Sequence, residues 1–378
     1  MSALNANLIG VPGGRAKLQT PALVVDLDVM ERNIAAMSAH AKAQGISLRP
    51  HAKTHKCAEI ARRQIAAGAL GVCCAKLGEA EALAEAGIES LLLTSPVVTE
   101  AGIARLMALN AKARELIVTV DNPDIAARLA AAAEASGRKL NVLADLDPGM
   151  SRTGIAPDDR AIALVEKMAK SPSLIWRGLQ CYAGQAQHTE SRKDRSEQSL
   201  AVLKKVADVR DALAAKGLNA EIISGGGTGT FDIDPDAHVL NELQVGSYIF
   251  MDKQYNEVWE KDGERPAFET SLFVQMTVIS ANREGLATTD AGFKSFATDA
   301  GTPALASGAP EGASYFYFGD EQGGIVYPST NVKLVPGDVL SARVPHCDPT
   351  VNLYDVIHAV RGDVLEAIWP IEARGKSA

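Results

Sequence analysis

The sequence predicts an α/β protein in which a TIM-type (β/α)8 barrel is followed by a β domain. From about residue 30 to about residue 250, short β-branched runs alternate with longer, Ala-rich amphipathic stretches, which is typical of repeated βα units. About eight such runs occur, the number that a closed barrel of this type requires. After about residue 252, runs rich in Thr, Val, Tyr and Phe replace the helices and indicate a separate β domain.

The predicted barrel strands are short runs of aliphatic and β-branched residues. They are Ile46–Leu48, Gly71–Cys74, Ser90–Thr94, Leu116–Val120, Leu140–Leu146, Leu174–Tyr182, Ala220–Ser224 and Leu243–Ile249. Two of the intervening helices are clear, Gly78–Ala86 and Asp124–Ser136, because Ala, Glu and Leu predominate and apolar residues recur at helical spacing. The barrel is therefore expected to span residues 30–252.

The predicted β domain takes its strands from both ends of the chain. Its C-terminal runs include Ser271–Ser280, Ser314–Phe318 and Val339–Arg343. The early run Ala22–Asp28 precedes the first helix and would make a ninth parallel strand, so we assign it to the β domain. This domain is then expected to comprise residues 1–29 and 253–378.

Composition and charge argue against several classes of function. The 378 residues are 47% hydrophobic and 22% charged, typical of a globular chain with room for two domains. The net charge of −8 comes from interspersed residues, so we expect no surface for nucleic acid or an anionic membrane. The N-terminus does not read as a signal peptide, and no apolar run is long enough to span a bilayer. The five cysteines lack CxxC spacing, which predicts reduced thiols and a cytoplasmic location.

A lysine follows the first predicted barrel strand, in the segment RPHAKTHK. Lys53 has the basic residues Arg49, His51, His55 and Lys56 around it in the sequence. Nearby positive charge lowers the pKa of an amine, so Lys53 is a candidate for forming a Schiff base with a carbonyl compound. The alternative is an ordinary basic loop between a strand and a helix.

Glycine-rich segments follow the last two predicted barrel strands. Gly227 and Thr228 lie in the run SGGGTGT, and Gly246 and Ser247 lie at the eighth strand. Glycines let backbone N–H groups approach an anion, and the hydroxyls add donors, so a phosphate site is predicted. A glycine-rich turn without a ligand is the alternative. Combined with a lysine at a strand end, the pattern favours pyridoxal 5'-phosphate (PLP), whose aldehyde and phosphate need these two anchors.

Three further side chains follow the fifth and sixth predicted strands. Arg152, in the segment DPGMSRTG, carries a permanent charge that could hold the cofactor's phenolate oxygen or ring. Tyr182 could pack against a planar ring, and His188 could serve as a base near neutral pH. The alternatives are a solvated arginine, a buried tyrosine at the barrel end and a surface histidine at a helix start.

The predicted β domain holds a candidate metal pair in the segment PHCDPTVN. In an extended segment, His346 and Asp348 would face the same side while Cys347 points away. An imidazole and a carboxylate with open positions favour Mn²⁺, Mg²⁺ or a similar divalent ion over a closed zinc site. A structural histidine is the alternative.

Taken in order, these motifs carry a resemblance that spans nearly the whole chain. The segments RPHAKTHK, DPGMSRTG, GLQCYAGQAQH, SGGGTGT, QVGSYIFMD and PHCDPTVN resemble the D-threonine aldolase and D-serine dehydratase-like branch of the fold-type III PLP enzymes. The resemblance implies an alanine racemase-like fold and a homodimer. It implies that Lys53 forms the Schiff base, that Arg152 and Tyr182 contact the cofactor, and that the two glycine segments hold its phosphate.

The resemblance also implies an activity and a metal. The implied reaction is the cleavage of D-threonine and other D-β-hydroxy-α-amino acids to glycine and an aldehyde, with His188 or a metal-bound water as the base. His346 and Asp348 would hold the ion, with Mn²⁺ first and Mg²⁺ or Co²⁺ as alternatives. Dehydratases of this branch have a cysteine two residues after the histidine, whereas Asp348 stands there in this chain, as in the aldolases.

Three alternatives remain open from the sequence. One is a dehydratase that acts on D-serine or D-threo-3-hydroxyaspartate. Another is a racemase, which needs a second base such as Tyr315, Tyr317 or Tyr327. The last is a PLP-binding protein without catalytic activity.

Overall fold

The computed structural model describes residues 4–261, 263, 266–328 and 332–378. In chain order its strands are β1 (Ala22–Asp26), β2 (Ser47–Leu48), β3 (Val72–Cys74), β4 (Ser90–Leu93), β5 (Glu115–Val120), β6 (Leu140–Asp145), β7 (Leu174–Cys181), β8 (Ile222–Gly225), β9 (Glu242–Leu243), β10 (Leu272–Arg283), β11 (Leu286–Thr289), β12 (Ala304–Ser307), β13 (Ser314–Tyr317), β14 (Gly323–Val326), β15 (Val339–Arg343), β16 (Val356–Arg361) and β17 (Val364–Pro370). Its α-helices are α1 (Leu27–Gln44), α2 (Ala58–Ala66), α3 (Leu77–Glu85), α4 (Glu100–Lys112), α5 (Pro123–Ser136), α6 (Asp159–Ala169), α7 (Arg192–Ala214), α8 (Lys253–Lys261) and α9 (Cys347–Val351).

Eight parallel strands form the sheet of the βα units, in the order β2-β9-β8-β7-β6-β5-β4-β3. An isolated parallel bridge between His51 and Cys73 joins the two ends of this order. There the amide of Leu70 donates to the carbonyl of Leu48 at 2.9 Å, and Cys73 donates to Pro50 at 2.8 Å. The predicted eight-stranded α/β barrel is confirmed.

Helix α5 begins and ends where local sequence signals predict. Before α5, the side chain of Asn122 accepts hydrogen bonds from the amides of Asp124 and Ile125, which would otherwise lack acceptors. Pro123 occupies the first helical position, where its missing N–H costs nothing, and Gly137 ends the helix with a φ of 71°. The buried residues of this helix recur three and four positions apart, which gives it one face toward the sheet. They are Ala126, Leu129 and Ala133.

The barrel interior is filled by every second residue of its strands, because these side chains point to the inner face of the sheet. One buried apolar cluster takes a single residue from each of five strands, as expected for a layer across a packed barrel. Its members are Cys73, Leu92, Ile117, Leu143 and Ile222.

A nine-stranded sheet forms the other part of the fold, with the main order β13-β14-β11-β10-β1-β16-β17 and β15 linking β10 to β12. β1 pairs antiparallel with β10 and parallel with β16, so Val24 lies between Phe273 and His358. The strand nearest the N-terminus therefore lies in this sheet, between two strands from the C-terminal third of the chain.

The described residues form two compact units. One contains the residues up to Ala36 together with Ser247–Arg374, and the other contains Met37–Gly246 together with Gly375–Ala378. Among the helices described, none is both long and apolar enough to cross a bilayer. All five cysteines are buried and free.

The predicted strand Leu243–Ile249 is wrong beyond its first residue. β9 ends at Leu243, and the segment Ser247–Ile249, predicted as the end of that strand, is a 3-10 turn. Gly246 separates the two parts, and its backbone lies so close to Thr54 that a Cβ atom there would be 2.6 Å from Thr54 Oγ1. The apolar residues Tyr248 and Ile249 are buried in the turn, which is why their pattern resembled a strand.

Candidate active site

Lys53 lies directly after β2, on the 3-10 turn Ala52–Thr54. Its amide donates a hydrogen bond to His51 Nδ1 at 3.4 Å. His51 Nε2 lies 3.1 Å from Thr94 Oγ1, which donates to the carbonyl of Cys74 at 3.1 Å. These contacts tie the turn to the ends of β3 and β4. The half-buried Lys53 is thus held at the edge of the barrel where enzymes of this fold carry their chemistry.

Two of the basic residues expected to lower the pKa of Lys53 are paired with buried carboxylates. Arg49 is only 2% exposed, and its Nε donates to Glu242 at 2.9 Å. Lys56 has a φ of 53° and forms a buried ion pair with Glu79. Each of these two positive charges therefore has its own carboxylate partner.

A chain of buried hydrogen bonds runs through the barrel interior toward the end of β6. Ser224 Oγ donates to Glu242 Oε1 at 2.6 Å, and Gln244 Nε2 donates to Ser224 Oγ at 3.0 Å and to Gln180 Oε1 at 3.1 Å. Gln180 Nε2 then donates to Asp145 Oδ1 at 2.9 Å. Burial raises the pKa of Asp145 to about 6, although the hydrogen bond from Gln180 opposes this rise.

The structure brings Arg152 and Tyr182 together at the ends of β6 and β7. The guanidinium carbon of Arg152 lies 5.5 Å from the centre of the Tyr182 ring, within the range of a cation–π interaction. Asp147 Oδ1 accepts hydrogen bonds from three successive amides of the turn before Arg152. Both side chains line a small pocket that also contains Asp145 and Gln180. A planar ligand in this pocket would meet an aromatic face and a permanent cation.

His188 lies in the loop between the 3-10 turn Gly184–Ala186 and α7. The residue is half-buried, and its Nε2 atom is shielded from solvent. The loop that carries His188 is held by the fully buried Arg195. This guanidinium donates to the carbonyl of Thr189 at 2.6 Å and to that of Glu190 at 3.2 Å. The interpretation of His188 as a surface histidine at a helix start is therefore wrong, because the helix begins only at Arg192.

The glycine run after β8 leaves no room for side chains. A Cβ atom on Gly227 would lie 2.4 Å from Gln187 Oε1, and one on Gly229 would lie 2.1 Å from the Gln187 carbonyl oxygen. Gly226 has a φ of 71°, which side chains other than glycine rarely adopt. Thr228, at the centre of the loop, is 2% exposed. This close approach of bare backbone is the property that lets N–H groups surround an anion.

A buried hydroxyl lies beside the second glycine position. Thr54 Oγ1 is buried and has no hydrogen-bond partner among the described residues. A Cβ atom built on Gly246 would lie only 2.6 Å from Thr54 Oγ1, so only glycine fits at position 246. Ser247 follows as the buried first residue of its 3-10 turn. Sequence reasoning missed Thr54, because a hydroxyl next to a candidate lysine carries no signal until its burial is known.

These features fit PLP. The barrel offers an amine at a strand end, two glycine positions where backbone can approach a phosphate, and a guanidinium beside an aromatic ring. A buried hydroxyl without a partner costs about 1–3 kcal/mol, and a ligand that accepts its hydrogen bond would remove that cost. The orphaned Thr54 hydroxyl is therefore an independent sign that an acceptor belongs at this end of the barrel.

The predicted geometry of the metal pair is wrong. α9 begins at Cys347, so Asp348 lies in the first turn of a helix and the alternation of an extended segment does not apply. Cys347 is buried, and its amide donates to Asp252 Oδ2 at 2.9 Å. Burial raises the pKa of Asp252, while its hydrogen bonds to amides lower it. Sequence reasoning missed Asp252, which fixes the start of α9.

A second carboxylate missed by the sequence analysis orients the histidine. His346 Nδ1 lies 2.7 Å from Asp299 Oδ2. Metal-binding histidines commonly contact a carboxylate in this way through one ring nitrogen, which leaves the other for the ion. His346 and Asp348 are both partly accessible and offer one nitrogen and one carboxylate. They fit a divalent ion that completes its shell with other ligands, although no group of three or more His, Cys, Asp or Glu suited to a metal occurs among the described residues.

Three tyrosines of the β-rich unit are candidates for the second base of a racemase, and Tyr315 and Tyr327 are buried while Tyr317 is half-buried. The hydroxyl of Tyr315 donates to the carbonyl of Ala291 at 2.6 Å, and burial raises its pKa far above the usual value. Burial also raises the pKa of Tyr317 to about 12. Tyr327 is 6% exposed. Because a tyrosine base must first ionise, Tyr315 and Tyr317 are poorly suited to that role.

Comparisons with known proteins agree with this architecture. A family model described as "Alanine racemase, N-terminal domain" matches residues 25–254, and one described as "Putative serine dehydratase domain" matches residues 271–360. The D-threonine aldolase of Arthrobacter sp is 40% identical over 363 residues, covering 96% of this chain and 94% of that protein. The 3-hydroxy-D-aspartate aldolase of Paracoccus denitrificans (strain Pd 1222) is 37% identical over 377 residues, covering 97% and 95%. The crystal structure of D-threonine aldolase from Filomicrobium marinum has a TM-score of 0.90 at 37% identity, covering 96% and 97%.

The fold and the barrel site together define an alanine racemase-like enzyme, and this class implies PLP as its cofactor. The chain belongs to the alanine racemase N-terminal domain family, in its D-threonine aldolase and D-serine dehydratase-like branch, whose aldolases are carbon–carbon lyases. The resemblance predicted from the motifs is thereby confirmed.

Proposed function

We propose that the protein cleaves D-threonine and other D-β-hydroxy-α-amino acids to glycine and an aldehyde, using PLP and a divalent metal ion. The observation that carries this proposal is the presence of the Lys53 turn and the glycine loop around Gly227 on the same edge of one parallel barrel. The names of the two aldolase relatives supply the class of substrate, a D-amino acid with a hydroxyl on its β-carbon.

Each barrel residue has a proposed role in holding the cofactor. Lys53 provides the amine that attaches to the aldehyde, and Arg152 and Tyr182 hold the ring from the loops after β6 and β7. Gly227, Thr228 and Gly246 surround the phosphate, with Ser247 as a further donor. When bound, PLP supplies an electron sink for the pair of electrons released at the α-carbon.

The proposed bond cleavage needs a base at the β-hydroxyl. His188 accepts the hydroxyl proton, the carbon–oxygen bond becomes the carbonyl of the aldehyde, and the Cα–Cβ bond breaks. The α-carbon keeps that electron pair and takes up one proton, which gives glycine. The loop held by Arg195 would keep the imidazole of His188 in place during this transfer.

We propose that His346 and Asp348 hold the divalent ion, with Asp299 orienting the imidazole. Such an ion supplies a Lewis acid that makes a hydroxyl easier to deprotonate. Oxygen and nitrogen donors with open positions favour Mn²⁺, with Mg²⁺ or Co²⁺ as alternatives.

A panel of enantiomers tests the proposed function. The purified protein, loaded with PLP and Mn²⁺, is incubated with D-threonine, L-threonine, D-allothreonine and D-3-hydroxyaspartate, and aldehyde release is followed with a coupled alcohol dehydrogenase or a carbonyl reagent. We expect release from D-substrates and none from L-threonine. Equal release from both enantiomers, or from neither, would refute the proposal.

A further inference from the structure

Asp234 is a buried carboxylic acid directly behind the glycine loop. It begins the 3-10 turn Asp234–Ala237 and is 1% exposed. A Cβ atom built on Gly226 would lie 2.5 Å from Asp234 Oδ2, so the carboxyl group packs against the backbone of the loop.

A chain of hydrogen bonds connects Asp234 to a loop amide. Ser199 Oγ of α7 donates to Asp234 Oδ1 at 2.5 Å, and Thr230 Oγ1 donates to Asp234 Oδ2 at 2.7 Å. Gln187 Nε2 donates to Thr230 Oγ1 at 3.1 Å. The amide of Gly229 donates to Gln187 Oε1 at 2.9 Å. The protonation of Asp234 and the shape of the loop are therefore coupled through two side chains.

Both side-chain hydrogen bonds to Asp234 come from neutral hydroxyls, and Asp234 takes part in no ion pair among the described residues. The buried cation one turn before Ser199 in α7, Arg195, donates to the carbonyls of Thr189 and Glu190. The nearby Asp232 has its own partner in Arg192, at 2.5 Å. The thiol of Cys181 at the end of β7 is buried, which raises its pKa and keeps it neutral. Asp236, in the same turn, is exposed.

Ionisation of Asp234 falls in the physiological range. Burial raises the pKa of Asp234 to about 7, while the hydrogen bonds from Ser199 and Thr230 oppose the rise and the charge of Asp232 adds to it. The carboxyl group is thus neutral below neutral pH and acquires a negative charge above it.

We propose that Asp234 is a positioning residue of the phosphate loop, acting through Thr230 and Gln187, and that its ionisation weakens the binding of the cofactor's phosphate. The inference rests on the proposed function, because it takes PLP as the ligand of this loop. A phosphate and an ionised Asp234 on opposite sides of the same backbone repel each other. Phosphate binding must therefore raise the pKa of Asp234 further, and by linkage the affinity for the phosphate falls as pH rises through that range.

The test separates the phosphate from the rest of the cofactor. Dissociation constants of PLP and of pyridoxal, which lacks the phosphate, are measured for the apoprotein between about pH 6 and about pH 8.5, and their ratio isolates the phosphate contribution. The second ionisation of the phosphate affects every variant equally, so it cancels when variants are compared. The variants are Asp234→Asn, Asp236→Asn as the matched exposed control, and Ser199→Ala.

In the native protein and in Asp236→Asn, the phosphate contribution should fall by about tenfold across this range relative to Asp234→Asn. Ser199→Ala removes a hydrogen bond that lowers the pKa of Asp234, so its profile should shift to higher pH. Ser199→Ala keeps the carboxyl group of Asp234, so the test holds even where Asp234→Asn fails to fold. Parallel profiles for all variants, or a Ser199→Ala profile that does not move, would overturn the inference.

The proposed function can fail separately. The same preparations are assayed for aldehyde release from D-threonine. A phosphate contribution that falls with pH in the native protein but not in Asp234→Asn, without aldehyde release, would support the inference and refute the aldolase proposal. Aldehyde release with flat profiles would refute the inference alone.

Discussion

Gln187 Oε1 accepts a hydrogen bond from the amide of Gly229 at 2.9 Å, although the two residues lie in different loops of the barrel. The Nε2 atom of the same Gln187 side chain donates to Thr230 Oγ1 and to the carbonyl of Ala183. The loop that carries His188 and the loop proposed to hold the phosphate are therefore joined by one side chain. A substitution that moves either loop should therefore also shift the other loop.

Replacement of Gln187 by Ala should weaken PLP binding. Each buried hydrogen bond contributes about 1 kcal/mol, so losing the bonds to Gly229 and Thr230 should raise the dissociation constant by about tenfold or more. Equilibrium dialysis of PLP measures the change. Gln185→Ala is the control, because Gln185 is exposed in the same loop and its side chain donates to the carbonyl of Pro148. Equal affinities for the two variants would contradict this role of Gln187.

Replacement of Lys53 by Ala should abolish covalent attachment of the cofactor. Borohydride reduction of the native protein with PLP should leave a stable pyridoxyl group on the peptide that contains Lys53, and mass spectrometry should locate it. The exposed Lys42→Ala serves as the control and should keep the label. A label that persists in Lys53→Ala at full stoichiometry would move the attachment to another lysine.

Replacement of His188 by Asn should separate binding from cleavage. Asn cannot accept a proton near neutral pH, so we expect kcat to fall by about 100-fold or more while PLP binding stays unchanged. Steady-state kinetics with D-threonine and a PLP titration measure the two effects. Unchanged turnover would assign the base elsewhere.

Replacement of Asp299 by Asn should weaken metal binding without removing a proposed ligand. Carboxylates that orient a metal-binding histidine contribute about 10-fold to 100-fold in affinity, so the Mn²⁺ requirement for activity should rise by that factor. His346→Ala is the benchmark for complete loss, and the exposed Asp320→Asn is the control. If Asp299→Asn and Asp320→Asn need the same Mn²⁺ concentration, His346 does not depend on Asp299.

The buried Asp145 should make stability depend on pH. Its pKa of about 6 in the folded state lies above the usual value for an aspartic acid, so the folded protein binds a proton that the unfolded chain releases. The free energy of unfolding should therefore fall as pH rises from about 4 to about 6, by about 3 kcal/mol, and then level off. Urea unfolding of the apoprotein across this range should show this fall, and Asp145→Asn should lack that part of it. Identical pH dependence in the two proteins would contradict the account.

The barrel could be predicted from the sequence because its signals are local. Each βα unit shows its own alternation of apolar runs and Ala-rich stretches, and Asn122, Pro123 and Gly137 mark the ends of α5 within a few residues of chain. The candidate lysine, arginine and glycines could be found for the same reason. Parallel strands end at one edge, so residues that follow them share that edge.

The remaining features depend on contacts that are distant in sequence. Arg49 is paired with Glu242, and the start of α9 depends on the hydrogen bond from Cys347 to Asp252. Pro349 lies in the first turn of α9, a position where a helix tolerates proline. The proline therefore gave no sign of a helix, and the segment resembled an extended one. Asp299, which contacts His346, lies in a segment without a motif. A sequence pattern cannot show which distant carboxylate meets a given cation or imidazole.

The identity of the products tests the central claim most directly. The purified protein is incubated with PLP, Mn²⁺ and D-threonine, with a chelator-treated sample beside it, and the products are identified by mass spectrometry. Acetaldehyde and glycine in equal amounts, lost on chelation and restored by Mn²⁺, are the predicted result. Formation of 2-oxobutyrate and ammonia instead would make the protein a dehydratase and contradict the account.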